Sequence, residues 1–146
     1  MKLNLIYCLM ITLTIGGCSQ PQSTKIEGAW KLVYVIGIDG NKPYYSFSGT
    51  DTTEGQIRIW SKDHFSFAGI LKYDTLHSDS FGGGTYKLDG NKYEENYMYN
   101  NYVVQIGKKF KSLLEIRNDT LFIINSIDDN WNLPERYTIE KYVKMK

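Results

Sequence analysis

The chain has 146 residues, of which 17 are Lys or Arg and 16 are Asp or Glu, for a formal charge of +1 at pH 7. That balance excludes the one-sided basic surface and high pI on which nucleic-acid binding rests. Hydrophobic residues make up 42% of the chain and aromatic residues 14%, enough for one packed core in a domain of ordinary size.

Residues 1–17, MKLNLIYCLMITLTIGG, begin with one basic residue, Lys2, run through an apolar stretch over 5–15 and end in two glycines before Cys18. Basic, apolar and small-residue regions in that order predict a secretory signal. The apolar run is shorter than the roughly 20 residues of a membrane-spanning helix. Ile15-Gly16-Gly17-Cys18 resembles a bacterial lipobox, with isoleucine where leucine is usual. The resemblance implies that Cys18 is lipidated and becomes the first residue of the mature chain. Acyl chains such as palmitate would hold it firmly, at about 0.8 kcal/mol per buried methylene. Cys8, the other cysteine, lies inside the segment to be removed, so no internal disulfide is expected. Ser19, in place of aspartate, favours the outer membrane as the location within the bacterial cell envelope. Loss of residues 1–17 removes Lys2 and no acid, which leaves 16 charges of each sign. Residues 18–27 then form a lipidated N-terminus and a polar tether, SQPQSTKIE, of about 25 to 30 Å at full extension. The remaining residues, 28–146, form one domain.

From Trp30 onward, short segments rich in β-branched and aromatic residues are separated by Gly, Asn, Asp or Pro, which predicts an all-β domain. In AWKLVYVI (29–36), alternation places Trp30, Leu32, Tyr34 and Ile36 on one face. GQIRIW (55–60) follows a loop of about eighteen residues, 37–54. In HFSFAGILKY (64–73), Phe65, Phe67, Gly69, Leu71 and Tyr73 share a side. GTYKL and KYEENYMY flank Asp89-Gly90-Asn91, a hairpin signal because these residues tolerate positive φ. FKSLLEI (110–116) and TLFIIN (120–125) flank Arg117-Asn118-Asp119, a second hairpin. After a polar loop, Pro134 opens the last strand, RYTIEKYVK (136–144). A helical turn fits best within 41–53 or 102–109. Eight antiparallel strands in one small domain can close into an up-and-down barrel with room for one small ligand; a two-sheet sandwich is the architectural alternative.

Gly28-Ala29-Trp30 resembles the Gly-x-Trp signature of the lipocalins. Trp30-Lys31-Leu32-Val33, Phe65-Ser66-Phe67, Gly82-Gly83-Gly84-Thr85-Tyr86, Gly90-Asn91-Lys92-Tyr93 and Glu95, in that order, are similar to lipocalin-like lipoproteins of Bacteroidetes-type bacteria. The likeness spans the mature domain and implies an eight-stranded barrel with a ligand cavity. It also implies that Trp30 packs at the closed end of the barrel against a basic side chain of the last strand. Lys144 matches that position, with Arg136 as the alternative; lysine there gives a cation-π contact in place of a stacked guanidinium.

The three glycines 82–84 lead into a strand, not into Gly-Lys-Ser/Thr and a helix, so they do not form a phosphate loop. Glycines within a strand mark a bulge, a corner or a close approach. His64 and His77 are thirteen residues apart, and with Asp63 or Asp79 they make no compact metal-ligand spacing. No Gly-x-Ser-x-Gly elbow occurs, and Ser66 only shares a strand face with His64. No metal, cofactor or catalytic group is therefore assigned.

Glu94 and Glu95 point to opposite faces of one strand and cannot act as a pair. Tyr93, Glu95, Tyr97 and Tyr99 share the aromatic face, so Glu95 is expected inside, where a carboxylate needs a partner or solvent. It serves there as a ligand contact, pairs internally with Arg58, or faces a water-filled barrel. By parity, Tyr34, Phe65, Phe67, Tyr86, Tyr97 and Phe110 join Arg58 and Glu95 as the candidate cavity lining.

The expected molecule is a monomeric, lipid-anchored, non-enzymatic protein that holds a small, partly apolar or amphipathic ligand among aromatic side chains. The alternative is an accessory lipoprotein with a filled barrel, whose loops 37–54 and 126–133 contact another envelope protein.

Overall fold

The computed structural model describes residues 26–48, 55–73 and 76–146. The expected signal segment, Cys18 and most of the tether lie outside the described residues. Nine strands follow in chain order: β1 (Gly28–Asp39), β2 (Lys42–Ser48), β3 (Gly55–Ser61), β4 (His64–Tyr73), β5 (Leu76–Asp89), β6 (Lys92–Asn100), β7 (Lys109–Arg117), β8 (Thr120–Asn125) and β9 (Arg136–Lys144). Every adjacent pair from β3 to β9 is antiparallel, and β1 pairs with both β3 and β9, so eight strands close into a barrel. Among the described residues, a 3-10 turn, Val103–Gln105, falls in the second of the two windows expected to hold a helical turn.

The ninth strand corrects the expectation for the segment 37–54. Residues 42–48 are neither loop nor helix but β2, paired with the upper part of β1 from Tyr34 to Asp39. Pro43 hid it, since proline removes a ladder donor. β2 tolerates that loss because, among the described strands, it pairs with β1 alone and stands at an edge.

Four two-residue turns, at Gly40, Lys62, Gly90 and Asn118, each begin with a residue of positive φ, the geometry that suits hairpin twist. Three of them, after β3, β5 and β7, close one end of the barrel. The longer described connections, 101–108 and 126–135, lie at the other end. The closed end holds most of the core: Trp30, Leu32, Trp60, Phe65, Tyr86, Tyr93, Leu121 and Tyr142 are buried, and Ile26 plugs the base at 1% exposure. Trp30 Nε1 donates to the Ile26 carbonyl at 2.8 Å, and Trp60 Nε1 donates to the Tyr93 hydroxyl at 2.7 Å. Both buried indoles thus satisfy their one polar atom. Each ring, with about 150–250 Å² removed from water, contributes about 4–6 kcal/mol before chain entropy is counted.

Two bulges interrupt the alternation within the closed barrel, and a third lies in β2, where Gly37 pairs with Tyr45 and Ile38 with Pro43. In β1, Leu32 faces Tyr142 of β9 while Tyr34 faces Lys141, so Val33 is the extra residue and the inward set continues with Val35 and Gly37. In β6, Gly83 pairs with Tyr99 and Gly84 with Tyr97, which makes Met98 the extra residue. Asn100 then points inward, and Tyr99 is turned out to 52% exposure.

Candidate functional site

β3 inverts the usual pattern: Gln56, Arg58 and Trp60 face inward, while Ile57 and Ile59 face out. Arg58, 5% exposed, is therefore carried into the middle of the barrel. Its Nη2 donates to Glu95 Oε1 of β6 at 2.5 Å, and its Nη1 lies 3.9 Å from Glu140 Oε2 of β9. The rings of Trp60, Phe65 and Phe67 surround the guanidinium at 5.0, 4.9 and 5.4 Å. Burial opposes the charge on Arg58 and is the largest single influence, but Glu95 together with Tyr93, Tyr97 and Tyr142 outweighs it, so the guanidinium pKa is pushed up and the group stays charged. Its Nε is buried with no hydrogen-bond partner among the described residues.

Two carboxylates thus share one cation. Glu140 receives a hydrogen bond from Asn125 Nδ2 at 2.8 Å on one oxygen and from the Tyr142 hydroxyl at 2.7 Å on the other. Ser112 Oγ fixes the Asn125 amide by donating to its oxygen at 2.8 Å. Burial raises the Glu140 pKa, against the opposing pull of Arg58 and these donors. The Tyr97 phenol is pushed up as well, first by burial and then by Glu95, to which it is hydrogen-bonded. On the far side of Tyr142, Gln56 Nε2 donates to Ser80 Oγ at 2.9 Å. The middle of the barrel thus carries a polar network, set beside the aromatic and aliphatic core of the closed end.

Beside this network lies a cavity of about 270 Å³, bounded by Arg58, Glu95, Tyr97, Phe110, Ser112, Asn125, Ile127 and Glu140 and, at its mouth, by Gln105, Lys109, Lys111 and Ser126. The volume is just under the roughly 300 Å³ at which pockets for drug-sized ligands begin. The Glu140 side chain keeps 22% of its surface accessible. Each of its oxygens has a lone pair beyond the bonds described, so it can accept from a donor placed in the cavity. The mouth lysines are already engaged, Lys109 with Glu94 at 3.3 Å and Lys111 with Asp129 at 2.9 Å.

Of the eight residues expected to line the cavity, Arg58, Glu95, Tyr97 and Phe110 meet there. Phe65, Phe67 and Tyr86 lie inside the barrel but pack on other rings: Phe65 stacks with Phe67 at 6.5 Å and meets Tyr97 edge-on at 5.3 Å, and Tyr86 packs on Tyr93 at 5.5 Å. Tyr34 is not inside. The Val33 bulge turns it outward, where Lys141 Nζ lies 5.6 Å from its ring. Glu140, Asn125 and Ser112 were not anticipated, although Glu140 is two residues from Tyr142 and shares its face by simple alternation.

At the closed end Trp30 is in register with Lys144, whose Nζ lies 5.2 Å from the indole. Gly28, at φ 121°, lets the strand start beneath that side chain: a Cβ there would sit 3.3 Å from Lys144 Cε. Arg136 lies at the opposite end, paired with Asp39 and over the ring of Tyr44. His64 is exposed and bonded to Asp63 at 2.7 Å, and no group of three or more His, Cys, Asp or Glu among the described residues could hold a metal ion.

The closed eight-stranded antiparallel barrel is compatible with a lipocalin-like fold. No known protein family matches the chain, and neither a characterised protein nor a solved structure matches it.

Proposed function

We propose that the chain is a lipid-anchored, non-enzymatic protein of the bacterial cell envelope whose barrel holds one small ligand, with an apolar body and a hydrogen-bond-donating head such as an amine or hydroxyl. The observation that carries this reading is the excess of acceptors at the cavity: two carboxylates, Glu95 and Glu140, to one guanidinium. Glu95 is occupied by Arg58 and Tyr97, so Glu140 takes the orienting role. The apolar body would rest on Tyr97, Phe110 and Ile127. The Cys18 lipid, from the lipobox resemblance, supplies the membrane attachment.

The reading is tested by native mass spectrometry of the protein, followed by titration with a solvatochromic dye carrying a primary amine. A copurified small molecule or saturable dye binding, weakened by Glu140→Gln, is the expected result. A bare protein that ignores the dye would favour the accessory role. That alternative draws on the mutual packing of Phe65, Phe67, Tyr97 and Phe110, which fills much of the barrel with its own rings.

A further inference from the structure

The connection from β6 to β7 holds apolar side chains in water. Val103 and Val104 are 75% and 72% exposed, and Tyr102 and Ile106 are 52% and 44% exposed. The segment is nonetheless firmly built. Gln105 N donates to the Tyr102 carbonyl, Ile106 N to Val103 and Lys108 N to Gln105, while Gly107 N reaches the Tyr97 carbonyl at 2.8 Å and Tyr102 N the Asn100 side chain at 2.7 Å. A segment so ordered that buries none of its apolar residues is shaped for something outside the chain.

Its surroundings say what. Asn101 ties the loop to β5 beside Phe81, through Asn101 N to the Phe81 carbonyl at 3.0 Å, and Phe81, Met98 and Tyr99 are themselves 51–57% exposed. The apolar tip thus continues into an apolar wall on the outside of β5 and β6. On β3 and β4, Ile57, Ile59 and Ile70 are 40%, 46% and 41% exposed and extend it. Lys108 and Lys109 follow the tip directly, both exposed; Lys109 also faces Glu94 at 3.3 Å, so Lys108 supplies the charge. Exposed apolar side chains backed by lysines fit the boundary between acyl chains and anionic headgroups. A protein partner would match the apolar patch alone; the exposed Lys108 beside it selects an anionic lipid surface.

We infer that residues 102–109, continued by the outer wall of β3 to β6, form a membrane-contacting surface that seats the barrel on anionic lipid. This contact is separate from the Cys18 attachment. The described chain begins with Ile26 at the closed end, whereas the loop stands at the open end, so an N-terminal lipid alone would not bring the loop to the bilayer. Gly28 pairs with Trp60 on β3, at the edge of the apolar wall. A barrel lying on that wall brings both contacts to one membrane, with the cavity mouth, of which Gln105 and Lys109 are part, close to the lipid.

The test places a local probe on the full chain, so that attachment through the N-terminus does not decide the result. The indole added by Val104→Trp is followed on vesicles of phosphatidylglycerol and phosphatidylcholine containing brominated acyl chains. Quenching of the added fluorescence is expected, weaker on pure phosphatidylcholine and weaker again with Lys108→Glu. Val103→Asp combined with Val104→Asp should weaken cosedimentation of the chain lacking the Cys18 lipid roughly tenfold or more. An unquenched indole on vesicle-bound protein overturns the inference. So does lipid-free dimerisation abolished by the double aspartate substitution, because the same surface would then be a self-association face.

Discussion

Among the described residues, Arg58 is the cation that faces both Glu95 and Glu140, and the energetics of the barrel interior turn on how it is shared. Removing one partner of a buried ion pair costs more than the pair contributes, because the survivor is left charged and dry. Arg58→Met leaves both carboxylates in that position and should cost about 3–5 kcal/mol in chemical denaturation. Glu95→Gln should cost clearly less, since Arg58 still faces Glu140 from 3.9 Å and glutamine preserves an acceptor. Equal losses in the two variants would mean that Glu140 does not share the cation. Replacing both partners, as Arg58→Met with Glu95→Leu, should recover part of the loss, because neither survivor is then stranded.

At the scale of elements, the run Gly82-Gly83-Gly84 shows how β5 and β6 accommodate each other. A Cβ on Gly84 would lie 1.9 Å from the Asn96 carbonyl oxygen, on the backbone of the Met98 bulge. On Gly83 it would meet the outward-turned Tyr99 hydroxyl at 2.4 Å, and on Gly82 the inward Phe67 ring at 2.6 Å. Backbone cannot step aside as a ring can. Gly84→Ala should therefore destabilise by about 1–3 kcal/mol or more, and Gly82→Ala by less, read as midpoint shifts at constant m. Identical shifts would mean that the bulge yields as easily as the ring. The same elements set the limit of what the sequence discloses. Alternation and turn residues gave eight strands in the right order, because each reports a local preference. Bulges are invisible to such counting. Val33 displaced Tyr34, and Met98 displaced Tyr99, since one extra residue reverses every later side chain. Arg58, Glu95, Tyr97 and Phe110 lie before or away from those slips, and the cavity gathers them. Glu140 sits on an unbroken alternation from Tyr142 and was legible, but its importance depends on Arg58 lying opposite, which only the closed barrel decides.

The whole molecule has two unlike ends. The closed end combines three two-residue turns, the buried indoles of Trp30 and Trp60, and the Ile26 plug; the open end has the connections 101–108 and 126–135, β2 and the cavity mouth. A barrel is held by closure, and β1 is where it closes: Trp30 lies where β1 meets β3 on one side and Lys144 of β9 on the other. Loss of that ring removes packing from both seams at once. Trp30→Ala should lower global stability by about 3–5 kcal/mol. Native-state hydrogen exchange then distinguishes two ways of losing it. If closure is cooperative, amides in β1, β3 and β9 should all lose protection together by the full amount, while β2, joined to the barrel through β1 alone, should already exchange by local opening and change little. If protection fell only around residues 28–31, the closed end would be a local cap, and the stability of the barrel would have to reside in the polar network around Arg58.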